Sequence, residues 1–264
     1  RDRSQKITIR GNLWFHQYER IGGDAVDFVR KFYGLNYPQA VEYLLDGNTK
    51  NMQTVSVPVQ DQVKTFALPP QNDNLRRIYA YLVNHRGIDR DVFYAFVRRG
   101  MLYESADYHN AIFVGFGFGG RPCHAHKRGT GTSSTFKGNV TASDPRYSFH
   151  WHGQSDRLYL FEAPVDMLSF ISMHKDGWQN HSYAAACCVG DQVLFQMLTD
   201  EPRIRTVCLC MDNDEAGQTA NQRIAEKLSK RNIHTEILAP RLKDWNEDLL
   251  HSIEMEENSC DLSF

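Results

Sequence analysis

The sequence predicts an α/β protein: a Rossmann-like parallel sheet flanked by helices, preceded by a mixed α+β basic part and a small hairpin-and-helix unit. Two patterns carry that prediction. From Arg157 onward, short apolar runs alternate with helix-length segments in the order βαβαβαβ. Such an order implies parallel strands joined by right-handed crossovers. Charge is also segregated, with residues 1–50 carrying +2, residues 51–155 carrying +5 and residues 156–264 carrying −9. A basic middle and an acidic end suit a protein that holds a polyanion with one part and metal ions with another. The expected divisions are 1–50, 51–155, 156–251 and an acidic tail 252–264 that frays from about Ser252.

In the first unit, Lys6 to Arg10 alternates like a strand, Gly11-Asn12 is a turn, and Leu13 to His16 returns as a second strand. Asp24 caps a helix over Ala25 to Tyr33, with Val26, Val29 and Phe32 on one face and Gly34 ending it. Pro38 opens a second helix, Gln39 to Leu45. Residues 48–72 are polar, carry three prolines and read as a linker or wrapping segment.

The middle part starts with a helix from Leu75 to His85, a turn at Gly87 to Asp89, and a helix from Asp91 to Arg99 closed by Gly100. This pair reads as a structural αα-hairpin rather than a sequence-reading DNA motif. A strand from Ala111, a turn near Gly119-Gly120 and a return strand, Arg121 to Arg128, precede a Gly/Ser/Thr-rich loop and a strand around Tyr147 to Trp151. Lys127, Arg128, Lys137 and Arg146 lie among these β elements with aromatics between them, a pattern that suits either a surface for single-stranded nucleic acid or an ordinary solvated face of a β-meander. His124/His126 and His150/His152 each share a strand face, but no suitably spaced Cys or carboxylate set surrounds them, so zinc is not expected.

In the C-terminal part, Leu158 to Phe161 is a strand ending at Glu162, Val165 to His174 a helix, and Ser182 to Cys188 a strand. Asp191 caps a helix running to Leu198. Thr206 to Met211 is a buried strand, Gln218 to Arg231 a helix, and His234 to Leu238 the last strand. Lys243 to Asp248 adds a second acidic cluster. Glu162 and the pair Asp212/Asp214 therefore fall at the carboxyl ends of parallel strands, where open α/β sheets bind ligands. Like charges so close are costly unless a cation lies between them, and a hard divalent ion with oxygen ligands is the natural choice. The competing reading of Asp212-Asn213-Asp214 alone is a solvated loop capping a helix.

Composition narrows the rest. With 264 residues, 41% hydrophobic and 23% charged, the chain is long enough for two packed domains. No apolar run is long enough to cross a membrane and no secretory pattern is present, so a cytoplasmic protein without a membrane partner is expected. The six cysteines form no CxxC pair and read as reduced thiols. The chain begins with Arg1, so further N-terminal sequence is expected to be missing.

Glu162-Ala-Pro-Val-Asp166, then Gly190, then Asp212-Asn-Asp214-Glu-Ala-Gly217, resembles the Toprim domain of primases, topoisomerases and some nucleases, over roughly residues 156–250. Upstream, Gly23 to Phe28 followed by Tyr37 to Val41 is similar to the helix pair after the zinc ribbon of bacterial replicative primases. The positions of the ribbon's cysteines fall on His16 and Glu19, so the unit resembles a degenerate ribbon without zinc. Residues 111–151 resemble the basic subdomain preceding Toprim in primase cores. The chain as a whole resembles the small primase-like Toprim proteins of mobile elements and phages.

The resemblance implies Mg²⁺ or Mn²⁺ held by Asp212 and Asp214, with Glu162 as a further ligand or general base and Asp166 and Asp244 in reserve. It also implies template or triphosphate contacts by Lys127, Arg128, Lys137 and Arg146. The partners implied are single-stranded DNA, nucleoside triphosphates and a replicative helicase or relaxase. The expected activity is primase-like nucleotidyl transfer. A metal-dependent Toprim nuclease and a non-catalytic DNA-binding module of a larger replication or transfer protein stand as alternatives.

Overall fold

A computed structural model describes residues 7–16, 21–45, 65–131, 134–188 and 190–261. Glu19 and most of the expected linker lie outside the described residues. The chain forms two compact units, Arg1–Gln62 and Val63–Phe264.

The first unit is a three-stranded antiparallel sheet, β1 (Ile7–Arg10), β2 (Leu13–His16) and β3 (Ile21–Gly23), followed by helices α1 (Ala25–Tyr33) and α2 (Tyr37–Leu45). The short β3 was not expected. The side chain of Asp24 accepts from the amides of Val26 and Asp27, and Asp27 answers with a bond to the Asp24 amide, closing a capping box. Gly34 ends α1 at φ 68°, a conformation that glycine adopts without a Cβ penalty. Trp14 supplies the core, with ring centroids 5.5 Å from Phe28 and 5.2 Å from Phe32. His16 is buried beneath the sheet.

The second unit opens with α3 (Arg76–Tyr79), which widens into a π-helical turn over Ala80–His85, and then α4 (Arg90–Arg98). In the π turn the Arg86 amide reaches back five residues to the Tyr81 carbonyl at 2.9 Å. A four-stranded antiparallel sheet follows in the order β4 (Leu102–Glu104), β5 (Ala111–Phe116), β6 (Pro122–Arg128) and β7 (Lys137–Asn139). Next come β8 (His150–Trp151), β9 (Arg157–Phe161), α5 (Pro164–Met173), β10 (Ser182–Ala185), α6 (Gln192–Asp200), β11 (Thr206–Cys210), α7 (Glu215–Ser229), β12 (His234–Ile237) and α8 (Trp245–Asp261). The second sheet has the order β12-β11-β9-β10-β8, in which β8 alone runs antiparallel.

Period-two alternation decides what each face of this sheet buries. Leu158, Leu160, Ala184, Val207 and Leu209 meet α6 and α7 through Val193, Leu194, Ile224 and Leu228. On the other face Phe161, Tyr183, Cys208 and Cys210 join Leu168, Trp245, Phe96, Phe113 and Phe149 in one core. The basic part and the parallel sheet therefore share a single apolar interior.

Two expectations need correction. The tail from Ser252 does not fray: α8 continues to Asp261. Leu249, Leu250 and Ile253 lie over Gly87, where an added Cβ would come within 2.7 Å of Ile253. That apolar seam outweighs the acidic composition that suggested a solvated end. The strand expected over Ser182 to Cys188 stops at Ala185, because Cys187 and Cys188 turn out of the sheet at φ 51° and 65°. Among the described residues five cysteines are free thiols, with Cys187, Cys208 and Cys210 buried, Cys123 half-buried and Cys188 exposed.

Candidate active site

β9 and β11 are adjacent and parallel, with Phe161 paired to Cys210. Glu162 and Asp212 therefore leave the same sheet edge from neighbouring strands. The Asp212 loop is fixed on both sides. The Asn213 amide donates to the Lys243 carbonyl at 2.8 Å, and the Trp245 indole donates to the Cys210 carbonyl at 3.0 Å. These bonds tie the segment leading into α8 against the end of β11 and bring Asp244 into the group. Gly217 sits so close to the turn that a Cβ there would lie 2.1 Å from the Asp212 carbonyl oxygen. Only glycine lets α7 start against this loop.

Glu162, Asp166, Asp212 and Asp244 line one cavity of about 220 Å³, together with Arg86, Arg128, Lys137, Lys243, His126 and Asn246. Burial raises the Asp212 carboxyl to about 7, and Glu162, Asp244 and Asp214 push it the same way. Asp166 is raised well above the usual carboxylate range, first by burial and then by Asp212, Asp244 and Glu162. Asp212 Oδ1 is buried with no hydrogen-bond partner among the described residues. Clustered, part-desolvated carboxylates with an orphaned oxygen fit a hard divalent cation, which takes oxygen ligands. As they stand, no three His, Cys, Asp or Glu side chains among the described residues close on one point.

The cationic wall is built differently. Asn246 accepts from Arg86 Nη1 at 2.9 Å and donates to the Arg86 carbonyl at 2.7 Å and to Ser169 Oγ at 2.9 Å. The Arg86 guanidinium lies 5.3 Å from the Tyr81 ring centroid, and Arg128 Nε donates to the hydroxyl of the same tyrosine at 3.1 Å. One ring thus places both arginines. Arg86 Nε, like Asp212 Oδ1, is buried without a partner among the described residues.

The other residues singled out from sequence lie elsewhere. Asp214 is exposed and caps α7, accepting from the Gly217 amide at 2.8 Å, so the capping reading holds for this one carboxylate of the pair. It still acts on Asp212 through its charge. Asp244 caps α8 in the same way, accepting from the Glu247 amide at 2.8 Å, yet also lines the cavity. Lys127 lies over Phe136, 5.6 Å from its ring centroid. Arg146 is paired with Asp144 at 2.6 Å and faces a separate cleft with His150 and His152. Sequence reasoning missed Arg86, Lys243, Asn246 and His126. His126 was noticed only as half of an HxH pair.

Comparison with known proteins bears on the fold. Residues 159–249 match the family described as Toprim-like, and residues 80–155 match a family described as a protein of unknown function, DUF3991. An uncharacterized protein of Bacillus anthracis is 23% identical over 234 residues, covering 83% of this chain and 67% of that one. An uncharacterized protein of Mycoplasma pneumoniae is 29% identical over 103 residues, covering 38% of this chain and 46% of the relative. Among solved structures, a chain from the complex of bacteriophage T7 lagging-strand DNA polymerase with primase domains, bound to an RNA/DNA hybrid and dTTP, superposes with a TM-score of 0.50. That match has 14% identity and covers 67% of this chain and 87% of the other. The fold is that of a Toprim protein. A Toprim-like domain here follows a basic α+β part, and the fold over two thirds of the chain is similar to that of the chain from the T7 complex.

Proposed function

We propose that the chain is a primase-like nucleotidyltransferase that acts on single-stranded DNA by divalent-metal-dependent phosphoryl transfer. One observation carries this reading: Asp212 and Arg86, side chains of opposite charge that line the same cavity, each keep one buried polar atom, Oδ1 and Nε, without a hydrogen-bond partner among the described residues. Leaving buried polar groups unpaired is costly, so such groups mark where a ligand belongs. A phosphate chain carrying a divalent ion satisfies both, offering a cation to the carboxylates and oxygens to the guanidinium.

Asp212 and Glu162, with Asp166 and Asp244 lining the same cavity and Asp214 acting on Asp212 through its charge, would hold Mg²⁺ or Mn²⁺. Such an ion supplies charge neutralisation of phosphates and stabilisation of the attacking and leaving oxygens. Arg86, Arg128, Lys137 and Lys243 bind and orient the phosphates, Arg128 and Arg86 from positions preset by Tyr81. Glu162 is the residue able to take the proton of an attacking 3′-hydroxyl. Lys127 and Arg146, outside the cavity, serve as contacts to the template strand. The partners that fit are single-stranded DNA, nucleoside triphosphates and a replicative helicase or relaxase of a mobile element or phage.

The test is a priming assay with single-stranded template, Mg²⁺ or Mn²⁺ and labelled nucleoside triphosphates. Primer-length products that vanish in Asp212→Asn and Glu162→Gln are expected. Shortening of a labelled strand without triphosphates would replace this reading with a nuclease. DNA binding that survives both substitutions, with no product in either assay, would make the chain a binding module.

A further inference from the structure

His126 is the one imidazole among the residues lining the cavity, and its orientation is fixed by a chain of hydrogen bonds. Asn139 Nδ2 donates to the Cys187 carbonyl at 2.9 Å. A carbonyl can only accept, so the amide nitrogen of Asn139 must face Cys187 and its oxygen must face His126. Asn139 Oδ1 lies 2.8 Å from His126 Nδ1. Since that oxygen only accepts, Nδ1 carries the hydrogen and Nε2 carries a lone pair. His126 is 2% exposed, on β6 between Phe113 and Asn139 of the flanking strands. Burial keeps the ring neutral, with Arg128 and Lys137 adding to the effect against the opposing bond to Asn139.

A neutral acceptor has a limited choice of ligands here. Phosphate oxygens offer no hydrogen to donate. The neighbouring cations are donors, but Arg128 is committed through Nε to Tyr81, and a guanidinium or ammonium is best matched to phosphate. Of the groups that a nucleotide places beside its phosphates, the sugar hydroxyls are the donors. We infer that His126 Nε2 accepts a hydrogen bond from a ribose hydroxyl of the bound nucleotide, so that this ring, set by Asn139 and Cys187, reads the sugar. The inference rests on the reading of the cavity as a nucleotide site. No covalent step is involved.

The experiment measures binding of ATP, 2′-deoxyATP and 3′-deoxyATP in Mg²⁺ by titration calorimetry, to the unmodified protein, His126→Leu and His126→Gln. The unmodified protein is expected to bind one hydroxyl-bearing form about tenfold more tightly than the analogue lacking that hydroxyl, the size of one neutral hydrogen bond. His126→Leu should lose that preference while binding the deoxy analogue as before. His126→Gln, which can present an amide oxygen, should regain part of it. A purely structural role would weaken all three nucleotides alike and leave their ratios unchanged, which overturns the inference. Tight binding of all three nucleotides by the unmodified protein without preference overturns it too, while leaving the nucleotide site standing. If no nucleotide binds, both fall together.

Discussion

Two sets of buried carboxylates in the second unit show opposite designs. Glu104, at the end of β4, is fully buried and fully answered. It accepts from the amides of Arg77 and Ile78 at 2.9 and 3.2 Å, from Asn72 at 2.8 Å and from His109 at 2.6 Å. One side chain therefore satisfies the start of α3 and anchors the residues preceding it to the meander. Asp166 and Asp212 have carboxylates for neighbours instead, and Asp212 keeps an oxygen with no partner. The difference separates structure from function. Glu104 holds the fold together and arrives with its counter-groups, whereas the Asp212 loop is fixed by backbone bonds and its Oδ1 has no hydrogen-bond partner among the described residues.

The contrast can be broken most forcefully at Glu104. Glu104→Ala orphans two amides and the His109 ring, and unfolding in urea should show a loss of about 3 to 5 kcal/mol. Asp212→Asn should do the reverse, stabilising the metal-free protein by about 1 to 3 kcal/mol after allowance for solvent screening while abolishing priming. The same logic fixes a pH dependence. The folded-state Asp212 carboxyl, at about 7, lies above its unfolded value near 4, so its contribution is fully present below about 4 and is lost as pH rises through 7. Melting temperature in chelator should therefore fall over that window, less so in Asp212→Asn, and Mg²⁺ should oppose the fall. Equal behaviour of the two proteins would remove Asp212 from the cluster.

A smaller effect sharpens the same comparison at His124, which is fully buried with neither ring nitrogen partnered among the described residues. Burial, aided by His126, lowers it to about 4, so it is neutral. An apolar replacement of similar shape, His124→Leu, should be neutral or stabilising by about 1 kcal/mol. A loss above that size would mean that the ring has a partner after all.

The parallel sheet was legible because its strands are apolar on both faces, and Glu162 and Asp212 were legible because they follow such strands directly. What the sequence left hidden is non-local. β4 and β7 have three residues each, too few for a periodic signal. β8 leaves the basic part to extend the parallel sheet, a choice set by Phe149 and Trp151 filling the shared core. Arg86 reaches the site through tertiary packing against Asn246, and nothing local to its segment announces that. Lys127 and Arg146 were chosen by residue type, yet their placement follows from the aromatic and carboxylate beside them. Asp214 illustrates the limit from the other side, since the motif makes two aspartates look equivalent and the geometry of α7 assigns one of them to the helix.

The π-helical turn over Ala80–His85 has a consequence for how such a site can arise and be lost. An i to i+5 turn holds one residue more than an α turn in nearly the same length, so it is what a helix becomes when a single codon is inserted without displacing its ends. Arg86 follows this turn directly, with its guanidinium 5.3 Å from the Tyr81 ring centroid and its side chain among those lining the carboxylate cavity. Deleting one residue from the turn would shift Arg86 by about 100° around the helix axis, the rotation of one α-helical residue. The length of this one helix would then set whether Arg86 reaches the carboxylates.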